Sequence, residues 1–218
     1  MMQALDLVSI EQLVPPALRA FFEEHSRVAL AYSGGCDSVF LLACARACGV
    51  EVHPFTIDTA FQYTFEADDA CLAAAQLGIA IEVIELDIFA YPEVVANPPD
   101  RCYRCKHVIF QAIFAAANRL GIDTVIDGTN ATDDPARRPG FRAIEEFGVR
   151  SPLRDAGLTK DRIRELSHKM GLITADKPSY SCLATCVEVG QQITPELLES
   201  FVQEDWLDRE NGVHHDTL

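Results

Sequence analysis

Two groups of residues in this chain have types and spacings that could do chemistry. The first is Ser33-Gly34-Gly35-Cys36-Asp37-Ser38, lying between an apolar run at 27–32 and a helix-like run from Val39. Adjacent glycines let a backbone turn through positive φ and approach a ligand closely. A helix starting there would offer unpaired N–H groups and a positive dipole end to an anion. Ser33 and Ser38 add hydroxyl donors, and Asp37 is placed to help hold Mg²⁺, directly or through water. A Walker A loop carries Lys before its Ser/Thr, to meet the β/γ phosphates. Here that position is Asp37, whose carboxylate repels a γ-phosphate unless metal intervenes. The turn is therefore suited to holding pyrophosphate as a leaving group. Taken alone, the glycine pair would equally make an ordinary strand–helix turn.

The second group is drawn from eight cysteines. Cys102-x-x-Cys105 sits among Arg101, Arg104 and Lys106, and Cys182-x-x-x-Cys186 lies in a polar loop. Two thiolates at CxxC spacing can share one metal or one cluster. Neighbouring cations favour thiolate over thiol. The spacing alone leaves a zinc knuckle, a cluster site, a redox pair and no site at all open. Cys44 and Cys48 fall on one face of a helical pattern. Those two and Cys71 are expected to be small buried hydrophobes.

The bulk properties narrow the function class. Eighteen Lys+Arg against 33 Asp+Glu give a net charge of −15, which disfavours long nucleic-acid partners but not a local basic pocket. Hydrophobic residues make up 49% of the chain, enough for a packed core. No apolar run approaches the ~18 residues of a membrane span. The N-terminus has no basic n-region and carries Asp6 and Glu11, so no export is expected. A cytoplasmic protein with reduced cysteines is the expectation.

These residues must be positioned by alternating elements. Helices are expected at 16–24, 39–48, 64–77, 105–120, 140–147, 160–170 and 194–208, with Thr159 and Thr194 as N-caps. Strands are expected at 27–32, 51–57, 80–85 and 124–126, and 177–190 reads as a loop. This order means an α/β fold with an open parallel sheet and helices on both faces. Its ligands bind beyond the carboxyl ends of the strands. The division expected is an N-terminal helix at 1–26, a nucleotide-binding domain at 27–175, and a cysteine-bearing loop with a short irregular helical extension at 176–218. His25, His53, His107 and His168 show no ligand spacing, and His214-His215 lies in a patternless tail.

The full string Ser-Gly-Gly-x-Asp-Ser resembles the signature of the PP-loop ATP pyrophosphatase superfamily. That resemblance implies an adenine-nucleotide α-hydrolase-like sheet and cleavage of ATP between its α and β phosphates. AMP is then attached for a time to a substrate oxygen. Asn97-Pro98-Pro99-Asp100-Arg101-Cys102-Tyr103-Arg104-Cys105-Lys106 follows in the chain, then Asp127-Gly128-Thr129-Asn130, Arg137-Arg138-Pro139-Gly140-Phe141-Arg142 and Gly148-Val149-Arg150-Ser151-Pro152-Leu153. Asp176-Lys177-Pro178-Ser179-Tyr180-Ser181-Cys182-Leu183-Ala184 completes the set. In this order, over about 27–198, the motifs resemble the LarE family of ATP-dependent sulfur transferases, which make the thiocarboxylates of the nickel-pincer nucleotide.

The resemblance implies that a carboxylate of a small nucleotide substrate is adenylated and that sulfur replaces AMP. One form of the family sacrifices a single cysteine; the other holds a [4Fe–4S] cluster on three. Cys102, Cys105 and Cys182 match the cluster form, with Ser181 about where the sacrificial cysteine would stand. Zinc on Cys102, Cys105, Cys182 and Cys186 is the competing ligand set. Asp37, Lys106, Asp127 and Cys182 are the expected reacting groups. Ser33, Gly34, Gly35, Asp37, Ser38, Asp58, Thr59, Gly128 and Asn130 are expected to hold ATP and Mg²⁺, with Lys177 a further candidate for the nucleotide anion. Arg138 and Arg142 suit either a phosphate or a solvated helix face. Expected partners are a small carboxylate or nucleotide, a sulfur donor and a second copy of the chain, with no membrane. Cys186 stands where the family usually has Arg, Glu188-Val189 replace Pro-Tyr, and the chain ends short of the family's C-terminal α/β segment. Amide synthesis, tRNA thiolation, and nucleotide or metal binding without turnover are the alternative functions.

Overall fold

The computed structural model describes residues 5–210. The elements in order are α1 (Leu7–Leu13), α2 (Pro16–Glu24), β1 (Arg27–Ala31), α3 (Cys36–Ala47), β2 (Glu51–Asp58), α4 (Phe65–Gln76), β3 (Glu82–Glu85) and α5 (Pro92–Val95). They continue as α6 (Arg101–Arg119), β4 (Val125–Asp127), α7 (Phe141–Phe147), α8 (Pro152–Asp155), α9 (Lys160–Lys169) and α10 (Pro195–Glu210). The four strands form one parallel sheet in the order β3-β2-β1-β4.

Alternation along β1 sorts its side chains between two cores. Val28 and Leu30 join Ile10, Leu18, Phe22, the body of α3, and Ile163 and Leu166 of α9. Ala29 points the other way, into a core built from Phe110 and Ile113 of α6 and Phe141 and Ile144 of α7. Helices therefore cover both faces, as the βαβ pattern requires. A third cluster joins Phe61, Val94, Val95, Leu183, Val187 and Ile193, and fastens the cysteine-bearing loop to the sheet's edge. Within the 1–26 segment, Ile10, Val14, Leu18 and Phe22 sit in the same core as α3.

Several boundaries differ from the sequence expectation. Helix α6 starts at Arg101 rather than Cys105, so both CxxC cysteines lie within its first two turns. Pro98 and Pro99 lead into the helix: Arg101 N donates to Pro98 O at 2.9 Å. Helix α3 likewise begins at Cys36, inside the expected turn. Helix α1 was not expected; Asp6 caps it by accepting from Val8 N at 3.1 Å. Cys71 is exposed, contrary to its reading as a buried hydrophobe. The buried face of α4 is carried by Ala70, Ala73 and Ala74, and Cys71 lies about 100° round the helix from Ala70. Cys44 is buried as expected and Cys48 half-buried. His214-His215 lies outside the described residues. Among those described, no helix is long and apolar enough to cross a membrane.

Candidate active site

The sheet order places a switch beside β1. The chain moves outward from β1 to β2 and β3, then returns to set β4 on β1's other side. Ligands of open parallel sheets bind in the crevice at that point. The segments entering it from β1 and β4 are 33–38 and 128–130.

Close packing holds the 33–38 turn. Gly34 has φ 67°, and a Cβ on it would lie 2.6 Å from Ala70 Cα. Only glycine meets both conditions. From the other side, a Cβ on Gly128 would lie 3.0 Å from Ser38 N. The two segments are thus pressed together at the start of α3. Ser33 and Ser38 hydroxyls lie 3.2 Å apart, and Ser38 Oγ donates to Gly35 O at 3.1 Å. No side chain caps α3, so its first N–H groups are left to meet an anion.

Asp37 carries the charge in this turn. Lys160 Nζ pairs with its Oδ2 at 2.7 Å, while its Oδ1 is buried without a protein hydrogen-bond partner. An unpaired buried carboxylate oxygen is a costly arrangement unless a cation or donor meets it. Its hard oxygen chemistry fits Mg²⁺. Lys160 is the residue that sequence reading missed. The available signal was a Lys in the first turn of a helix, at the end where the dipole disfavours a cation. Such a residue is there to meet an acid.

Asp127 is buried and fully engaged. It accepts from Ser151 Oγ at 2.7 Å, Thr129 Oγ1 at 2.6 Å and Thr129 N at 3.2 Å. Its carboxylate braces the loop that presses Gly128 onto α3. Asn130 turns inward, accepting from Thr132 N at 2.8 Å. Thr59 is buried and accepts from Phe61 N at 3.2 Å, whereas Asp58 is exposed at the end of β2. Lys177 reaches the turn: its Nζ is 3.4 Å from Gly34 O and 2.9 Å from Asp69 Oδ2. Lys106 does not join these groups. It lies along α6 against Gly140, with Nζ 6.0 Å from the Phe110 ring. Arg138 and Arg142 line a shallow groove of about 320 Å³ with Tyr103, but are paired already, with Asp133 at 2.8 Å and Glu146 at 2.9 Å.

The thiols gather on the neighbouring edge. Leu183 N donates to Phe61 O at 2.9 Å, docking Cys182 beside the loop that follows β2. Burial pushes the Cys105 thiol up to about 12, and the charges of Cys182 and then Cys102 add to it against Arg101 and Lys106. Burial likewise raises Cys182, opposed by the Ala184 N–H and by Arg101, with Cys102 and Glu66 adding to the rise. So Cys182 and Cys102 both act electrostatically on Cys105, and Cys102 on Cys182. The expectation that neighbouring cations would favour thiolate fails for Cys105, because burial outweighs them.

A physical link runs from the phosphate turn to the thiols. Burial raises the Glu66 carboxyl, which also feels Lys177 and Asp69. Glu66 Oε1 accepts from Tyr63 N at 3.0 Å. The rings of Tyr63, Phe65 and Tyr180 pack beside this chain, with centroids 5.2–6.1 Å apart, and Lys177 Nζ lies 6.0 Å from the Tyr180 ring. Tyr180 is two residues from Cys182.

Among the described residues no three His, Cys, Asp or Glu side chains converge tightly enough to hold a metal ion. Cys102, Cys105 and Cys182 are free thiols, soft donors of the kind that iron–sulfur clusters and zinc both use.

No family model matches the chain. It is similar to the uncharacterized protein slr1717 of Synechocystis sp., with 37% identity over 84% of this chain and 68% of that protein. It shows 31% identity over 82% of its length to the uncharacterized protein MJ0830 of Methanocaldococcus jannaschii, covering 68% of it. It is 28% identical, over 81% of its length, to the pyridinium-3,5-bisthiocarboxylic acid mononucleotide synthase of Lactiplantibacillus plantarum, 65% of which it spans. The tRNA-specific 2-thiouridylase MnmA of Beijerinckia indica matches at 27% identity, and the chain spans 57% of it. The parallel sheet, the Ser-Gly-Gly-x-Asp-Ser turn at its switch point and these similarities agree: the chain belongs to the LarE family of the PP-loop ATP pyrophosphatase superfamily.

Proposed function

We propose that this protein is an AMP-forming sulfurtransferase acting on a carboxylate of a small substrate. The observation that carries the reading is Lys177, whose Nζ lies 3.4 Å from Gly34 O and 6.0 Å from the Tyr180 ring, two residues before Cys182, so that it joins a phosphate-holding turn to the cysteine-bearing loop. The names of the synthase and the thiouridylase both describe products that carry sulfur. The net charge of −15 favours a small substrate over RNA.

In this reading the α3 N–H groups, Ser33 and Ser38 hold the departing pyrophosphate. Asp37 Oδ1 takes Mg²⁺, while Lys160 fixes the other carboxylate oxygen. The substrate carboxylate attacks the α-phosphorus and pyrophosphate leaves. This turns a poor leaving group, an oxide, into AMP, a good one. Lys177 steadies the anionic acyl adenylate from the turn's outer side. Asp127 acts through Gly128 and Thr129, holding the crevice wall in place. Cys102, Cys105 and Cys182 would hold a [4Fe–4S] cluster, which would carry sulfide from a sulfur donor to the acyl adenylate.

Anaerobically purified protein should contain iron and acid-labile sulfide. With ATP, Mg²⁺, sulfide and pyridinium-3,5-dicarboxylate mononucleotide it should yield AMP, pyrophosphate and a thiocarboxylate. Formation of ADP, or of AMP without sulfur in the product, contradicts the reading.

A further inference from the structure

The two cysteine-bearing segments are held together by one side-chain pair. Asn97 is the single non-glycine residue with positive φ (51°) among the described residues, and it is fully buried. Asn tolerates the left-handed conformation better than most side chains. Its Nδ2 donates to Glu188 O at 2.8 Å and Val187 O at 3.3 Å, and its own carbonyl accepts from Gly190 N at 2.8 Å. Its Oδ1 accepts from Arg101 Nη1 at 2.8 Å. Every polar atom of the amide thus binds either the loop that follows Cys182 or the arginine that precedes Cys102.

Arg101 completes the clamp. It is only 8% exposed, and its Nη1 also donates to Ala184 O, two residues past Cys182. Its Nη2 lies 3.5 Å from Cys102 Sγ. One planar guanidinium therefore touches the cysteine of one segment and the backbone beside the cysteine of the other. Among the described residues it makes no ion pair with a carboxylate, although the chain is strongly acidic. A neutral side chain would serve as a staple at lower desolvation cost. A buried cation kept without an acid partner, against a sulfur, suits a centre that becomes anionic when loaded.

We infer that Asn97 and Arg101 are positioning residues that set the separation of Cys102 and Cys105 from Cys182. The inference rests on the reading of these thiols as the sulfur-carrying site, but its test does not need turnover. Chelator-treated full-length protein is cross-linked with bis-methanethiosulfonates of graded length, and Cys102–Cys182 links are mapped by mass spectrometry. Alkylation of the exposed Cys71 serves as the internal reference. Wild-type protein should show one sharply preferred length. Asn97→Gly, which keeps the positive φ and loses the amide, should broaden the profile. The yield at the preferred length should fall about tenfold, as the effective concentration of one thiol at the other drops. Arg101→Met should do the same and Arg101→Lys should recover part of the yield. If Arg101→Met does not melt cooperatively, Asn97→Gly decides. Length profiles equal to wild type in Asn97→Gly overturn the inference, even if the protein carries iron and sulfide. A wild-type protein without iron or sulfide but with the sharp profile would instead remove the sulfur reading and leave the clamp standing.

Discussion

Replacing Gly34 by Ala tests the packing that shapes the phosphate turn. At φ 67° an L side chain costs about 1–2 kcal/mol. The added Cβ would sit 2.6 Å from both Cα and Cβ of Ala70, so the turn or α4 must shift. Overpacking of this kind costs about 1–3 kcal/mol. The sum is roughly 2–5 kcal/mol, and at this chain length each kcal/mol moves Tm by about 2–4 °C. A fall on the order of 10 °C is expected in a calorimetric or circular-dichroism melt. Gly35→Ala is the control. Its φ is an ordinary −80° and its Cβ would meet only Ser33 Oγ, at 3.4 Å, so its Tm should change by much less. Gly34 O also receives Lys177, so the displaced turn should lose that contact and AMP formation should fall more than about tenfold, by the same logic of misplacement. A Gly34→Ala protein that melts with wild type refutes the close approach of this turn to α4.

Three further outcomes follow from other contacts. Cys105 is held up to about 12 by burial first and then by Cys182 and Cys102, so it stays a thiol through neutral pH. Its alkylation by iodoacetamide, followed by mass spectrometry, should still be rising at pH 10, whereas a free thiol near ~8.5 would have levelled off; a plateau by pH 9 contradicts it. Because its folded value is raised, its stabilising contribution is present below the unfolded value and is lost as pH rises through about 8.5 to 12. Lys160→Met and Asp37→Asn should each destabilise by about 1–2 kcal/mol, with the double variant about 1 kcal/mol better than their sum in a urea double-mutant cycle; strict additivity would show the pair does not interact. Asp127→Ala leaves Ser151 Oγ and two Thr129 donors without their acceptor, and should cost about 2–4 kcal/mol in urea unfolding against about 1 for Ser151→Ala. Equal costs would mean Asp127 does not brace this loop.

The parts legible in the sequence were those set by local pattern. The apolar run at 27–31 between a polar stretch and Ser-Gly-Gly announces a buried strand feeding a helix, and β1 lies at the centre of the sheet. The 128–130 segment follows its own strand onto the same edge. What was hidden depends on partners distant in sequence. Cys71 looks apolar in a helical window, but which face of α4 is buried is decided by the alanines that meet Gly34 and the core. Lys160 becomes part of the site only because α9 returns to β1's end, where Lys160 N also donates to Thr132 Oγ1 at 3.0 Å. Asn97 stood in the sequence as the first residue of the motif that runs to Lys106, with no role of its own. Its role comes from carbonyls ninety residues on (187 minus 97), which no local pattern announces. Lys106 matched its motif by position, yet its side chain packs towards Gly140.

The central claim is that the nucleotide and the sulfur centre meet in one crevice. It is tested most directly by attaching a trifluoromethyl label to Cys182, in a variant whose other exposed cysteines are serine, and adding the Mn²⁺ complex of a non-hydrolysable ATP analogue. The ¹⁹F signal should broaden strongly at saturating complex and recover when the Mg²⁺ complex displaces it. A label that stays sharp while the nucleotide is bound would separate the thiols from the phosphate turn and contradict sulfur delivery at this site.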